Sequence, residues 1–165
     1  MELIIQYEFD PAEKETINKS LINKGIEEWS WVRQTNTGII ENEGMFWMHP
    51  FRQNQYNFTE VAPFPGVRLP LEIGKTWTGN LNIGDGWGDW KNSTLSNIYQ
   101  VVAFEEIDLS YGKMQAWHIN STTTAPFGVS THNFWFNDEL GFVKMIINSY
   151  AGQTLQFELI EVIEN

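Results

Sequence analysis

The loop Gly84-Asp85-Gly86-Trp87-Gly88-Asp89-Trp90 carries the side chains best suited to contact chemistry: two indoles and two carboxylates, on a backbone that its glycines leave free to turn. Indoles beside carboxylates can grip a polyol, with a ring stacked beneath it and hydrogen bonds at its edge. No strand periodicity hides Trp87 or Trp90. Asp85, Trp87, Asp89 and Trp90 are therefore the leading ligand-binding candidates, joined by Trp47 and His49 just ahead of Pro50. The competing expectation is a loop that folds its indoles back onto the rim of the fold. Calcium is a weaker reading of the same aspartates, because that ion takes about six to eight oxygens and the ordered acidic spacing of a calcium loop is missing.

His49, His118 and His132 are the only histidines, and they are too far apart in sequence for a short zinc motif. Each is expected to stand alone, His118 within a strand and His49 at a strand end. A hydrolase or isomerase using His118 or His132 as base in a barrel mouth needs a carboxylate or hydroxyl beside the ring, in a concave pocket. The chain has no Gly-x-Ser-x-Gly turn, no His-Glu-x-x-His helix and no phosphate-cradling loop to support it. Glu27-Glu28 and Glu105-Glu106 are neighbours in strand segments and point to opposite faces, so neither pair can flank one glycosidic bond. Lys144, inside an apolar strand, is expected to lay its stem along the sheet with its head in water. These residues lead us to expect no catalytic residue, no metal and no cofactor.

Ten Lys and Arg against 21 Asp and Glu give a net charge of -11 over 165 residues. Scattered bases on so acidic a chain argue against nucleic acid and against anionic lipid headgroups. No apolar run approaches the roughly 20 residues that cross a bilayer as a helix. There are no cysteines, which removes disulfides, thiolate metal sites and cysteine nucleophiles while leaving the compartment open. Asn18, Asn57, Asn92 and Asn120 each begin an Asn-x-Ser/Thr triplet, a frequency that chance accounts for in a chain this rich in Asn, Ser and Thr.

The elements that must position these groups are mostly strands. Leu3, Ile5, Tyr7 and Phe9 alternate with polar neighbours, predicting a first strand. Asp10-Pro11-Ala12-Glu13 reads as a helix start and Gly25 as its stop, predicting a single helix over 11–24. Ile26 to Thr35 and Gly38 to His49 read as a hairpin about an Asn36-Thr37-Gly38 turn. Four prolines between Pro50 and Pro70 predict a long connection, with a short strand at Gln55 to Val61. Beyond it, Trp77 to Ile83 alternates cleanly, followed by strands over Leu95 to Ile107, Lys113 to Thr123, Val129 to Asn137, Phe142 to Asn148 and Thr154 to Ile163. Short connections favour sequential antiparallel pairing. The fold class expected is mainly β: one domain over 1–165, an antiparallel up-and-down β-barrel or strongly curved β-sandwich of about eight to nine strands with one N-terminal helix. Trp29, Trp77, Trp117 and Trp135 sit within strand patterns and are expected to fill its core.

Three motifs in order carry a family likeness: Leu69-Pro70-Leu71-Glu72-Ile73-Gly74-Lys75-Thr76-Trp77; then Tyr99-Gln100-Val101 with Glu105 and Tyr111-Gly112-Lys113-Met114-Gln115-Ala116-Trp117; then Phe134-Trp135-Phe136 with Leu140-Gly141-Phe142-Val143-Lys144. This stretch resembles a loose family of uncharacterised bacterial cell-envelope β-domains, often lipoproteins. The family has a Pro-Leu-x-x-Gly-x-x-Trp opening, a Gly-x-Phe-x-Ala strand and a Trp-containing strand ending in Gly-x-Val-Lys. Met114 replaces the family's usual Phe, and the N-terminal third has no counterpart. The resemblance implies an antiparallel barrel-like fold and an extracytoplasmic, envelope location, with the signal peptide lying outside the present sequence; a cytoplasmic location stays open. It supplies no catalytic residues.

The expectation that follows is a non-enzymatic, envelope-associated β-domain that binds a small apolar or amphipathic ligand, or a partner protein, through one open end of the sheet. Two alternatives stand beside it: a carbohydrate-binding module using the loop tryptophans on a glycan, and the histidine-based hydrolase or isomerase.

Overall fold

The computed structural model describes residues 2–6, 34–42, 44–51 and 54–162. The helix expected over 11–24 and residues 26–33 of the strand expected over Ile26 to Thr35 lie outside the described residues. Ten strands are described, and every pairing among them is antiparallel. β1 (Glu2–Gln6), β2 (Gln34–Asn42), β3 (Met45–Met48) and β4 (Gly66–Arg68) form one sheet in that order. β5 (Thr76–Ile83), β6 (Ser93–Leu109), β7 (Gly112–Ala125), β8 (Gly128–Asn137), β9 (Gly141–Asn148) and β10 (Thr154–Glu158) form a second, pairing strictly in sequence order. β5 and β10 are its two edges.

Period-2 alternation builds this larger sheet. Trp77 and Ile83 of β5, Tyr99 and Val101 of β6, Ile119 of β7, Phe134 and Phe136 of β8, Met145 and Ile147 of β9 and Leu155 and Phe157 of β10 are all buried. Apart from Ile83, they share one core with Met48, Phe51, Tyr56, Phe58, Ala62, Val67 and Leu71, so the segment from β3 to Leu71 covers the inner face. Phe51 meets Phe157 at 4.9 Å between ring centroids, and Phe46 meets Phe136 at 5.6 Å. Burial of this apolar area is the main force holding cover to sheet.

Three local expectations are corrected. β2 runs straight through Asn36-Thr37-Gly38, because Thr37 is β-branched and buried, with its hydroxyl donating to the His49 carbonyl at 2.7 Å. The chain turns instead at Gly44, between the paired Asn42 and Met45, at a φ of 79°. Asn54–Val61 is a 3-10 helix rather than a strand, and Gly88–Trp90 is a second, so the N-terminal segment is not the only helical candidate. β10 ends at Glu158, short of Ile163, although Leu159 still donates its N–H to the Val143 carbonyl at 2.8 Å.

Two bulges set the faces of the larger sheet. Register shifts between Val101 and Ala103, and again where Trp135 pairs Lys144 while Phe136 pairs Phe142. The extra residue reverses the in-out parity that follows it. In β6 it places Phe104 opposite the inner Trp117, and Glu105 on the outer face opposite Ala116.

Candidate functional site

The outer face of the larger sheet is organised in cross-strand rows. Thr76, Gln100, Asn120, Asn133, Ile146 and Gln156 pair in succession across all six strands. The next row is Thr78, Ile98, Thr122, Thr131, Asn148 and Thr154. A shorter row holds Asn80, Ser96, Thr124 and Val129, and a last pair is Asn82 with Thr94. Side chains along these rows bond to one another. Asn120 Nδ2 donates to Asn133 Oδ1 at 3.0 Å, Thr154 Oγ1 to Asn148 Oδ1 at 2.9 Å, Asn148 Nδ2 to Thr131 Oγ1 at 3.3 Å and Thr94 Oγ1 to Asn82 Oδ1 at 3.0 Å.

Beside the first row runs a different one: Ala103, His118, Trp135, Lys144 and Glu158. The His118 and Trp135 rings stack at 4.4 Å, 10° from parallel, and Lys144 Nζ lies 5.3 Å from the indole centroid. Trp135 Nε1 donates to Glu105 Oε1 at 2.8 Å, the same oxygen that lies 3.6 Å from His118 Nδ1. His118 Nε2 is 3.0 Å from Asn133 Oδ1, so the ladder and the amide row are one network. Leu109, Ala116 and Val143 form a small apolar cluster against which Trp135 packs. Trp135 thus does not fill the main core, as expected of it; Trp77 does, stacked on Tyr99 at 5.3 Å, and Trp117 packs against its edge. Trp29 lies outside the described residues.

The loop candidates divide. Trp87 is 38% exposed, whereas Trp90 is half-buried against the Val61, Ile83 and Leu95 cluster and donates Nε1 to the Tyr150 hydroxyl at 2.8 Å. Asp85 accepts from Asn92 Nδ2 at 3.0 Å, and Asp89 is exposed in the 3-10 turn. Trp47 and His49 are brought together, rings 5.7 Å apart, with Trp47 also 6.4 Å from Phe64. They belong to the cover, away from the 85–90 loop in sequence and in sheet. Among the described residues, no group of three or more His, Cys, Asp or Glu converges as a metal site would require.

His132, one of the two histidines offered as a base, lies in β8. It is fully buried, with Nδ1 2.8 Å from the Pro63 carbonyl oxygen and the ring 5.1 Å from Phe134. A carbonyl only accepts, so Nδ1 carries the proton and Nε2 is left without a hydrogen-bond partner among the described residues. Burial pushes its pKa down to about 4, with the Pro63 bond opposing. A base so enclosed has no substrate access. His118, with Asn133 on one ring nitrogen and Glu105 near the other, is braced rather than poised over a pocket.

The cavity between cover and sheet, lined in part by His49, Phe51, Thr59, Met145 and Ile147, offers about 10 Å³, the room of one water molecule. No helix among the described residues is long and apolar enough to cross a membrane. No family model, curated protein or solved structure matches this chain.

Proposed function

We propose that this protein is a non-enzymatic binding domain of the cell envelope that holds its ligand on the outer face of the six-stranded sheet. One observation carries this reading: the inner face is filled by the cover, while the outer face presents ordered rows of side chains with hydrogen-bonding capacity to spare. Cross-bonded side chains have already given up rotamer freedom, so a ligand meeting them incurs less of that entropic cost. The finer architecture belongs to the same proposal: an open two-layer sandwich with one covered and one presenting face, rather than a closed barrel. The test is co-sedimentation of the purified protein with insoluble envelope material. Retention that Thr131→Glu abolishes, and that a control charge at the exposed Asn57 leaves intact, is expected. Equal retention of both variants would remove the outer face from consideration.

A second reading keeps an apolar ligand, at the open end of the inner face. Phe104 is 46% exposed there and stands 4.6 Å from the half-buried Trp117 ring. Native mass spectrometry of protein from its natural source tests it: a lipid-like adduct lost in Phe104→Ser supports this end, and a clean apo mass refutes it.

A further inference from the structure

The charge pattern of the outer face narrows what it can hold. The four rows running from Thr76–Gln156 to Asn82–Thr94 comprise eighteen paired positions, and not one is ionisable. A solvated surface carries charge at about a quarter to a third of its positions, so about five charges are expected here. The shortfall is sharper because the chain has 31 charged side chains and a net charge of -11, most of which must lie on its surface. Ionisable side chains are absent from these rows and appear at their border, at Glu105, His118, Lys144 and Glu158.

Three of the eighteen positions are the aliphatic Ile98, Val129 and Ile146, and the other fifteen are Asn, Gln, Ser or Thr, which both donate and accept hydrogen bonds. That is the complement of a hydroxyl, which does the same. A charged polymer would meet no counter-charge across the field, and an apolar ligand would strand the amides without partners. Six strands at about 4.8 Å spacing make the face roughly 24 Å wide, which suits a chain of rings better than a single one. Trp135 ends the field as a wall, since its ring is already engaged by His118 and Lys144.

We infer that the outer face binds an extended neutral glycan, held by hydrogen bonds from the Asn/Thr rows rather than by stacked tryptophans. This rests on the outer face being the recognition surface, and it moves carbohydrate binding from the 85–90 loop to β6, β7, β8 and β9. The experiment is an amide chemical-shift titration of the whole chain with neutral oligomers (cellohexaose, xylohexaose, mannohexaose and their trimers) and with acidic ones (hexa-galacturonate and hyaluronan hexamer). Shifts in β6 to β9 from at least one neutral hexamer are expected. Its affinity should exceed that of the trimer about tenfold, fall at least tenfold in Thr131→Glu and in Thr124→Glu, and survive Asn57→Glu and Trp87→Ala. If only the acidic oligomers shift these strands, the face is the site and the neutral ligand is wrong. If shifts centre on the 85–90 loop and vanish in Trp87→Ala, both readings fall. Binding by none of the neutral hexamers also overturns the inference.

Discussion

His132 of β8 and Pro63 of the cover are joined by a 2.8 Å hydrogen bond that runs between the sheet and the segment packed over it. The donor is a ring nitrogen of a fully buried side chain, and the acceptor a carbonyl in the proline-flanked stretch just ahead of β4.

The burial of this ring, which the Pro63 bond only partly offsets, makes stability depend on mild acid. The folded pKa of His132 is about 4 against 6.5 for a free imidazole, so between these values the unfolded chain takes up a proton that the native state refuses. The contribution is complete above pH 6.5 and is lost as pH falls toward 4, up to roughly 3 kcal/mol. Urea unfolding at pH 7.5 and 4.5 should show this loss in the wild type and a distinctly smaller one in His132→Gln, which keeps a donor for Pro63. Equal losses in the two proteins would mean that His132 is not the acid-sensitive group.

Tyr99 governs the alkaline limb. Burial raises its pKa from 10.0 to about 12, with nearby Arg68 opposing, and its hydroxyl donates to the Phe64 carbonyl at 3.1 Å. A phenol whose folded pKa is raised stabilises below pH 10 and loses that contribution as pH climbs toward 12. Phenolate absorbance should show Tyr99 ionising only near pH 12 or on unfolding. Tyr99→Phe should remove one phenol from that late step, keep the stack on Trp77 and cost about 1 kcal/mol.

Gly128 opens β8 at a φ of 143°, and a Cβ there would sit 2.9 Å from the Tyr150 Cβ. Gly128→Ala should therefore cost about 1–3 kcal/mol in denaturant unfolding. Gly38, inside β2 with open space around it, gives the contrast: Gly38→Ala should be neutral or stabilising by up to about 1 kcal/mol. Similar losses at both positions would contradict these placements.

Phe134 lies at the centre of the inner face, 5.7 Å from Phe142 and opposite Ile119 and Met145. Phe134→Ala should cost about 3–5 kcal/mol. Trp90→Phe, losing its bond to Tyr150, should cost only about 1 kcal/mol and leave glycan binding on the outer face unchanged. A loss of binding in Trp90→Phe would return the rim loop to the site.

The strands from Trp77 onward were legible because one buried face per strand writes a period of two into the sequence, and short turns leave antiparallel neighbours little choice. The hairpin at Asn36–Gly38 misled because Asn-Thr-Gly is good turn chemistry. A buried Thr37 bonded to His49, twelve residues away, outweighed it. Gln55–Val61 misled for a related reason: Tyr56 and Phe58 alternate with Gln55, Asn57 and Thr59 as in a strand, yet the segment forms a 3-10 helix.

The candidate site was legible only in its ingredients. Sequence by itself determined the β class, the order of strands β5 to β10, the acidic balance and the presence of His118, Glu105 and Trp135 in strand segments. Whether those three would meet was decided by the bulge between Val101 and Ala103. Without that extra residue, Glu105 would share the inner parity of Tyr99 and Val101; with it, the carboxylate stands beside Trp135 and His118 on the outer face. The enclosure of His132 and the clearing of charge from the outer rows likewise appear only when strands far apart in sequence lie side by side. A local pattern specifies which residues share a face of one strand, and only the register between strands specifies which faces are shared across a sheet.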